Sequence, residues 1–292
     1  MKRFWIIFTI FLTILVCAWH PLWTLYSDLR LEYNFRFSER WKPYMDQLPL
    51  TLTNPDHPVS VCFVTLDTRG PTVEYIDLHN RNLEAYVQHQ NAKPHRRTYT
   101  YRFETDCNCP RFKHTHNPYW CKFFLLRELL EDDAFDYVVW MDSDTAIADF
   151  EVDFANVLNS YQGHCFVGLD KPFKYDILSA GVVGFRNSVM GRQILRTITE
   201  TYNQDGFQER CVVKQSKSLR GIFAHSCYEQ GVMNKILYKQ YRDYTTVLPP
   251  KYIHNSKSCD GQFIIHVYGS SNEVRANCFR QYVPSTDHSV TA

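Results

Sequence analysis

Two patterns of hydrophobic and polar positions alternate along residues 59–269: short continuous apolar runs, and stripes at three- and four-residue spacing. The continuous runs predict buried strands. One segment, 98–103, instead alternates apolar and polar residues and also predicts a strand. The predicted strands are 59–66, 98–103, 138–141, 164–169, 179–185 and 262–269. The stripes predict helices, which are 75–90, 119–131, 153–161, 188–202 and 228–241. Alternating strands and helices are typical of an α/β fold with helices flanking the sheet.

Asp142 and Asp144 directly follow the apolar run Val138–Met141. Ligands of open α/β sheets bind beyond the carboxyl ends of the strands, and residues i and i+2 of an extended segment project to the same side. Two such carboxylates repel each other unless a cation lies between them, and Mg²⁺ and Mn²⁺ prefer oxygen ligands. The pattern therefore favours a divalent metal site over the commoner solvated turn.

The first 26 residues are unlike the rest of the chain. No charge occurs from Phe4 to Trp19, and with the apolar residues that follow, the tract 4–26 is just long enough to cross a bilayer. Lys2 and Arg3 precede it, which places the N-terminus in the cytosol. Large residues occupy the region where a signal peptide would be cleaved. We therefore expect an uncleaved signal-anchor over 1–26 and a single-pass type II protein in the Golgi or ER membrane.

Three further segments follow the anchor. Residues 27–57 contain several prolines and no long periodic pattern, which predicts a stem, and 285–292 form a polar tail. Between them, 58–284 is long enough for one folded domain, and 45% of the 292 residues are hydrophobic. The net charge of +1 gives no indication of a nucleic-acid partner.

Ten cysteines fit the lumenal location, because lumenal proteins keep disulfides. Cys62 and Cys165 lie inside strand patterns and are interpreted as buried thiols. The segment 106–121 is rich in Cys and His, but its spacing matches no familiar zinc pattern. A disulfide or loop is therefore favoured there over a zinc site.

Three features leave alternatives open. The small residues at 179–181 either let a ligand approach the backbone or pack tightly against a neighbouring strand. His266 interrupts an apolar strand, where a lone histidine is usually a satisfied core residue. The cation-rich segment 204–224 is either a solvated loop or a flap over an anionic substrate.

Taken in order, these parts resemble a retaining GT-A glycosyltransferase. The resemblance rests on a first strand, a helix with Lys122, the Asp-Ser-Asp strand end, Ser-Ala-Gly-Val-Val-Gly-Phe-Arg-Asn-Ser at 179–188, Glu-Gln at 229–230, and His-Val-Tyr-Gly at 266–269. It covers about 59–280 and is most similar to fungal α-galactosyltransferases, plant xyloglucan xylosyltransferases and nematode nucleotide-diphospho-sugar-transferase-like proteins of unassigned function. It implies a Rossmann-like fold with a mixed, mainly parallel sheet.

The resemblance also implies roles for individual residues. Asp142, Asp144 and His266 would bind Mn²⁺, or Mg²⁺, which holds the diphosphate of a sugar nucleotide, and this implication reverses the core interpretation of His266. Glu229 and Gln230 would be the catalytic residues beside the donor sugar. The remaining donor-binding candidates are Thr65, Asp67 and Arg69 for base and ribose, with Lys122, Ser143, Ala180, Gly181, Gly269 and Arg275.

The expected reaction moves a hexose or pentose from a UDP-linked donor to a glycan or glycoprotein acceptor. A divalent ion would stabilise the charge on the departing diphosphate, with Lys122 assisting electrostatically. Retention follows from double displacement, for which Glu229 is the candidate nucleophile, or from front-side attack, which we favour.

Relatives usually carry a lysine after the His-Gly motif. Here the first cation is Arg275, which either replaces that lysine or leaves the diphosphate contacts weaker.

Two other functions compete with this one. A haloacid-dehalogenase-type phosphatase also has Asp-x-Asp after a strand. In such enzymes Thr or Val stands two residues after the second Asp, where this chain has Ala146, and the first Asp lies near the beginning of the domain, whereas Asp142 follows two predicted strands. A membrane-anchored binding or scaffold protein would keep the fold without activity, and the missing lysine supports that alternative.

Overall fold

The computed structural model describes residues 58–107, 118–170, 177–204, 207 and 228–284. The predicted signal-anchor and stem, the polar tail and nearly all of the segment 204–224 lie outside these residues. Within the described part of the chain, no helix is both long enough and apolar enough to cross a membrane.

All the predicted strands and helices that the sequence pattern indicates at 59–269 are present, some with shorter bounds. The strands are β1 (Val59–Leu66), β2 (Arg97–Glu104), β3 (Tyr137–Met141), β4 (Thr145–Ile147), β5 (Cys165–Leu169), β6 (Leu178–Arg186), β7 (Thr245–Val247), β8 (Ile253–Ser256) and β9 (Ile264–Val267). The helices are α1 (Glu74–Asn91), α2 (Pro118–Glu131), α3 (Phe154–Asn159), α4 (Val189–Tyr202), α5 (Glu229–Gln240) and α6 (Asn272–Phe279). The hydrophobic pattern does not indicate β4, β7, β8 or α6.

The central sheet has six strands in the order β2-β1-β3-β6-β5-β7. Every neighbouring pair is parallel except the two pairs that contain β6, which runs against the others. The predicted mainly parallel α/β sheet is therefore confirmed, and β6 makes it mixed.

Both faces of this sheet are covered, as the continuous apolar runs require. Along β3, Val138 and Trp140 belong to a core that includes side chains of α2, α4 and α5. Tyr137, Val139 and Met141 belong to the opposite core, with side chains of α1 and α3. Because β3 is buried on both faces, its carboxyl end is held in place. The position of the residues that directly follow it is therefore restricted too.

A second sheet of three strands, β4-β9-β8, follows β3. In β9, His266 lies opposite Thr145 of antiparallel β4 and beside Asn255 of parallel β8. This pairing brings a residue that is more than 120 positions later in the chain to the end of β3. A third core, which includes residues of α1 and α6, covers the small sheet.

Two disulfides fasten segments that border this end of the sheet. Cys107 pairs with Cys121 at the start of α2, so the disulfide interpretation of the Cys- and His-rich segment is confirmed for these two residues. Cys259 pairs with Cys278 of α6. Cys62 and Cys165 are buried free thiols, as predicted.

Candidate active site

The two aspartates lie in a turn between β3 and β4. The backbone N–H of Thr145 donates to the carbonyl of Asp142 at 3.0 Å, and the N–H of Asp142 donates to the carbonyl of Gly181 in β6 at 2.8 Å. The extended geometry that the sequence predicted for this segment is therefore wrong. The carboxylates converge because the turn folds the chain back toward β9.

Asp142, Asp144 and His266 form one group, in which one ligand atom from each lies within 4.8 Å of the other two. The Oδ1 atom of Asp144 is 3.1 Å from Nε2 of His266. Two carboxylates and an imidazole form a donor set that fits a divalent cation. The structure thus brings together all three side chains that the resemblance implied as metal ligands.

Asp144 also pairs with a cation from α6. Its Oδ2 atom is 3.0 Å from the guanidinium of Arg275, which also donates from Nε to the carbonyl of Val267 at 3.2 Å. Burial opposes ionisation of Asp144, but the charges of His266 and Arg275 hold the pKa of this carboxyl below its ordinary value. Arg275 therefore pairs with one of the two carboxylates of the candidate metal group.

Asp142 has a cation of its own, supplied by α2. The buried Nζ of Lys122 donates to Oδ1 of Asp142 and to the carbonyl of Ala180, both at 3.0 Å, and lies 3.4 Å from Oε1 of Glu229. Burial alone would lower the pKa of Lys122, but the carboxylates of Asp142 and Glu229 raise it above its ordinary value. The indole N–H of Trp140 donates to the same Oδ1 atom, so the carboxylate is held from two sides.

Glu229 and Gln230 open α5 against the start of β6. Oε2 of Glu229 is buried without a hydrogen-bond partner among the described residues, and burial raises the pKa of this carboxyl. The amide of Gln230 is fully engaged: it accepts from the N–H of Ala180 at 3.2 Å and donates to Asp170 at 3.1 Å. These contacts place both predicted catalytic residues beside the Lys122 network.

The loop after β1 is tied to the turn between the aspartates. Asp67 accepts hydrogen bonds from Arg69 and from the hydroxyl of Ser143, each at 2.6 Å. Burial opposes ionisation of Asp67, but these bonds hold its pKa below the ordinary value. Two guanidiniums lie over the ring of Tyr75, with Arg69 at 5.4 Å and Arg275 at 5.1 Å from its centroid. Both cations therefore meet on one aromatic ring beside the metal group.

Thr65, another donor-binding candidate, is completely buried. Its hydroxyl is 2.8 Å from the carbonyl of Met141 and 2.9 Å from Nε2 of His79, and neither Thr65 nor His79 has exposed surface. The side chain thus supports the end of β3, and its contact with base or ribose stays a prediction.

Of the two interpretations of the small residues, the structure shows close packing at Gly181, against the ring of His266. A Cβ added there would lie 2.5 Å from Nδ1 and 2.9 Å from Nε2 of His266, and closer still to Cε1. Such distances are too short for real contacts, so the missing side chain makes room for the imidazole. Gly269, the other glycine among the predicted site residues, has a φ of +62°, which favours glycine.

Comparisons with known proteins bear on the fold. No known protein family and no curated protein matches the chain in sequence. The structure is similar to that of a glycosyltransferase involved in the glycosylation of the major capsid of PBCV-1, with a TM-score of 0.53 and 14% identity over 76% of this chain and 98% of that one. The chain has a glycosyltransferase fold.

A second glycosyltransferase, GlyE of Streptococcus pneumoniae TIGR4, matches with a TM-score of 0.45 and 11% identity over 78% of this chain. The match spans 61% of the GlyE chain. Membership of the fungal, plant or nematode families stays a prediction.

Two polar residues at the candidate site were not predicted from the sequence. Asp170, which follows β5, accepts from Gln230, and Asn255 of β8 lies 2.6 Å from Nδ1 of His266. The end of the predicted strand 164–169 could have indicated Asp170, since site residues follow strand ends. A strand of only four residues gave no comparable signal for Asn255.

Proposed function

We propose that this protein is a metal-dependent glycosyltransferase that moves a hexose or pentose from a sugar nucleotide to a glycan or glycoprotein acceptor. The observation that carries the proposal is the convergence of Asp142, Asp144 and His266 to within 4.8 Å beyond the carboxyl end of β3. Carboxylate oxygens and an imidazole form a ligand set that fits Mn²⁺. Mg²⁺ also fits, although it prefers oxygen ligands. The glycosyltransferase fold of the chain supports the same activity.

A divalent cation at this position would act as a Lewis acid toward a departing diphosphate. The chain supplies the surrounding electrostatics. Lys122 and Trp140 both donate to Oδ1 of Asp142 and so fix the orientation of the carboxylate before any donor binds. The guanidiniums of Arg69 and Arg275 lie over the ring of Tyr75, which places two cations near the proposed metal group. Each also pairs with a carboxylate, Arg69 with Asp67 and Arg275 with Asp144.

The proposal includes retention of configuration by front-side attack. Glu229, the candidate nucleophile for double displacement, is held through Oε1 in a buried ion pair with Lys122, and burial raises the pKa of its carboxyl, which disfavours the charged form that would attack. Gln230 is a neutral amide with both polar atoms engaged, so its proposed role is to position Ala180 and Asp170 around the donor sugar.

The proposed donor is UDP-linked, and the proposed location is the lumen of the Golgi or ER, with residues 4–26 as the anchor. Disulfides persist in oxidising compartments. The pairs Cys107–Cys121 and Cys259–Cys278 support a lumenal location for this reason.

Calorimetric titration of the full chain with UDP and with GDP, each with and without Mn²⁺, tests the proposal. We expect UDP to bind only when Mn²⁺ is present, and the Asp144→Asn variant to lose that binding because it removes a charged metal ligand. Binding that is equally strong without Mn²⁺, or unchanged in Asp144→Asn, would refute the metal-dependent donor site.

One observation favours a second candidate, a scaffold that keeps the fold without catalysis. Lys122 already pairs with Asp142, and Arg275 already pairs with Asp144, so both carboxylates are neutralised by the chain itself. A scaffold would respond to neither nucleotide in the same titration. The phosphatase alternative gains no support, because Asp142 follows the third strand of the chain.

A further inference from the structure

Asn255 lies beside His266 in the small sheet, where parallel β8 and β9 pair these two positions. The Oδ1 atom of Asn255 is 2.6 Å from Nδ1 of His266. Both side chains are almost completely buried, with exposures of 5% and 6%. A short hydrogen bond between buried groups fixes both partners, because leaving either one unpaired would be costly.

The orientation of the Asn255 amide follows from its second partner. Nδ2 donates to the backbone carbonyl of Leu169 at the end of β5. A carbonyl only accepts, so the amide nitrogen faces Leu169 and the amide oxygen faces His266. The amide oxygen also only accepts, so Nδ1 of His266 carries a proton.

This proton determines what the other ring nitrogen does. With Nδ1 committed to Asn255, Nε2 is the nitrogen that can release its proton and offer a lone pair to a cation. Nε2 is the atom that faces the aspartates, 3.1 Å from Oδ1 of Asp144. Histidines that bind metals are commonly oriented by a hydrogen bond from their other nitrogen. Asn255 supplies that bond here.

Two glycines clear the space in which the pair lies. Gly181 leaves room for the His266 ring, as described above. A Cβ on Gly168 of β5 would lie 3.3 Å from Nδ2 of Asn255 and 3.0 Å from Cβ of Ile253. The backbones of β5 and β6 therefore approach the amide and the ring closely.

We propose that Asn255 is the positioning residue of the metal centre, which holds His266 in the Nδ1–H form so that Nε2 binds the cation. The inference rests on the proposed function in one respect, since it requires that Asp142, Asp144 and His266 bind a metal ion. It adds a residue from β8 that the sequence analysis did not connect with the site.

Direct Mn²⁺ titration of the full chain, followed by the electron paramagnetic resonance of free Mn²⁺, tests the inference without an activity assay. Asn255→Leu removes the acceptor and should weaken Mn²⁺ binding about 10- to 100-fold. Asn255→Asp keeps an acceptor oxygen toward Nδ1 and should restore most of the affinity. The matched control is Asn82→Leu. Asn82 is also buried, and its amide donates to the carbonyls of Ile147 and Tyr282. This variant should therefore lose stability but keep the wild-type Mn²⁺ affinity.

Wild-type affinity in folded Asn255→Leu would overturn the inference, and so would an equal loss of affinity in all three variants. If Asn255→Leu does not fold, two-bond nitrogen–proton NMR correlations of the wild type loaded with diamagnetic Zn²⁺ decide the question. A proton on Nδ1 of His266 supports the inference, and a proton on Nε2 overturns it. A wild type that binds no Mn²⁺ would overturn the metal centre itself, whereas unchanged affinity in Asn255→Leu overturns the role of Asn255 alone.

Discussion

The substitution Gly181→Ala tests whether the backbone of β6 sets the position of the histidine ligand. Gly181 sits on the strand that also accepts the N–H of Asp142 at its carbonyl, so it touches two of the three proposed metal ligands. Alanine adds one methyl group and leaves the backbone conformation of a strand accessible. Its effect should therefore come from the contact with the His266 ring.

The geometry gives the size of that effect. The new Cβ would lie 2.5 Å from Nδ1 of His266 and closer still to Cε1, and ordinary contact begins at 3.4 Å, so the ring has to move by at least about 0.9 Å. Metal–ligand distances tolerate deviations of about 0.2 Å. We therefore expect Gly181→Ala to weaken Mn²⁺ binding at least about tenfold, as changes in ligand support do, and to cost about 1–3 kcal/mol of stability through overpacking.

Gly184→Ala is the matched control, because Gly184 lies in the same strand three residues later. A Cβ there would lie 3.5 Å from Cγ2 of Val139 and 3.7 Å from Cβ of Phe166, which is ordinary contact. Calorimetric Mn²⁺ titration and urea unfolding of both variants make the comparison. Wild-type Mn²⁺ affinity in folded Gly181→Ala, or equal losses in both variants, would refute the argument that the ring needs this space.

Two further predictions concern stability. Burial lowers the pKa of His79 from 6.5 to about 4, so below pH 6.5 the unfolded chain gains a proton that the folded chain does not accept. His79 should therefore lower the free energy of unfolding by about 1.4 kcal/mol for each pH unit as the pH falls through that window. In urea unfolding at several pH values, the stability of His79→Gln should depend less on pH, and an unchanged pH dependence would contradict the assignment. Lys122→Met leaves the carboxylates of Asp142 and Glu229 without their cation and should destabilise the fold by about 3–5 kcal/mol in urea unfolding. Lys93→Met, which loses a partly exposed ion pair, should be nearly neutral, and equal effects of the two lysine variants would be evidence against the buried network.

The sequence predicted the central sheet well because its strands carry a local signal. The run at 138–141 is continuous and apolar, and β3 is buried at every position. The helices followed from stripes whose members pack into the cores, as Phe123 and Phe124 of α2 do. Two carboxylates after such a strand indicated a metal site because strand ends meet at one edge of a sheet.

The missed elements lack a local signal of this kind. β4 and β8 have three and four residues, and their pairing with β9 joins segments that are far apart in the chain. His266 also shows why the two interpretations of a strand histidine were not true alternatives. It is buried like a core residue, and its Nε2 still belongs to the metal group. Register, rather than composition, makes it a candidate ligand.

The replacement of the usual lysine by Arg275 changes the electrostatic argument for the site. The resemblance placed the expected cation on the diphosphate, whereas Arg275 lies 3.0 Å from Oδ2 of Asp144 and above the ring of Tyr75. A guanidinium has several donors beyond the one that Asp144 accepts. It also stacks on aromatic rings better than an ammonium does. Arg275 therefore keeps a positive charge beside the candidate metal group, on helix α6, which the Cys259–Cys278 disulfide ties to the segment before β9. Because this charge is paired with the carboxylate of Asp144, a direct contact of Arg275 with a diphosphate stays a prediction.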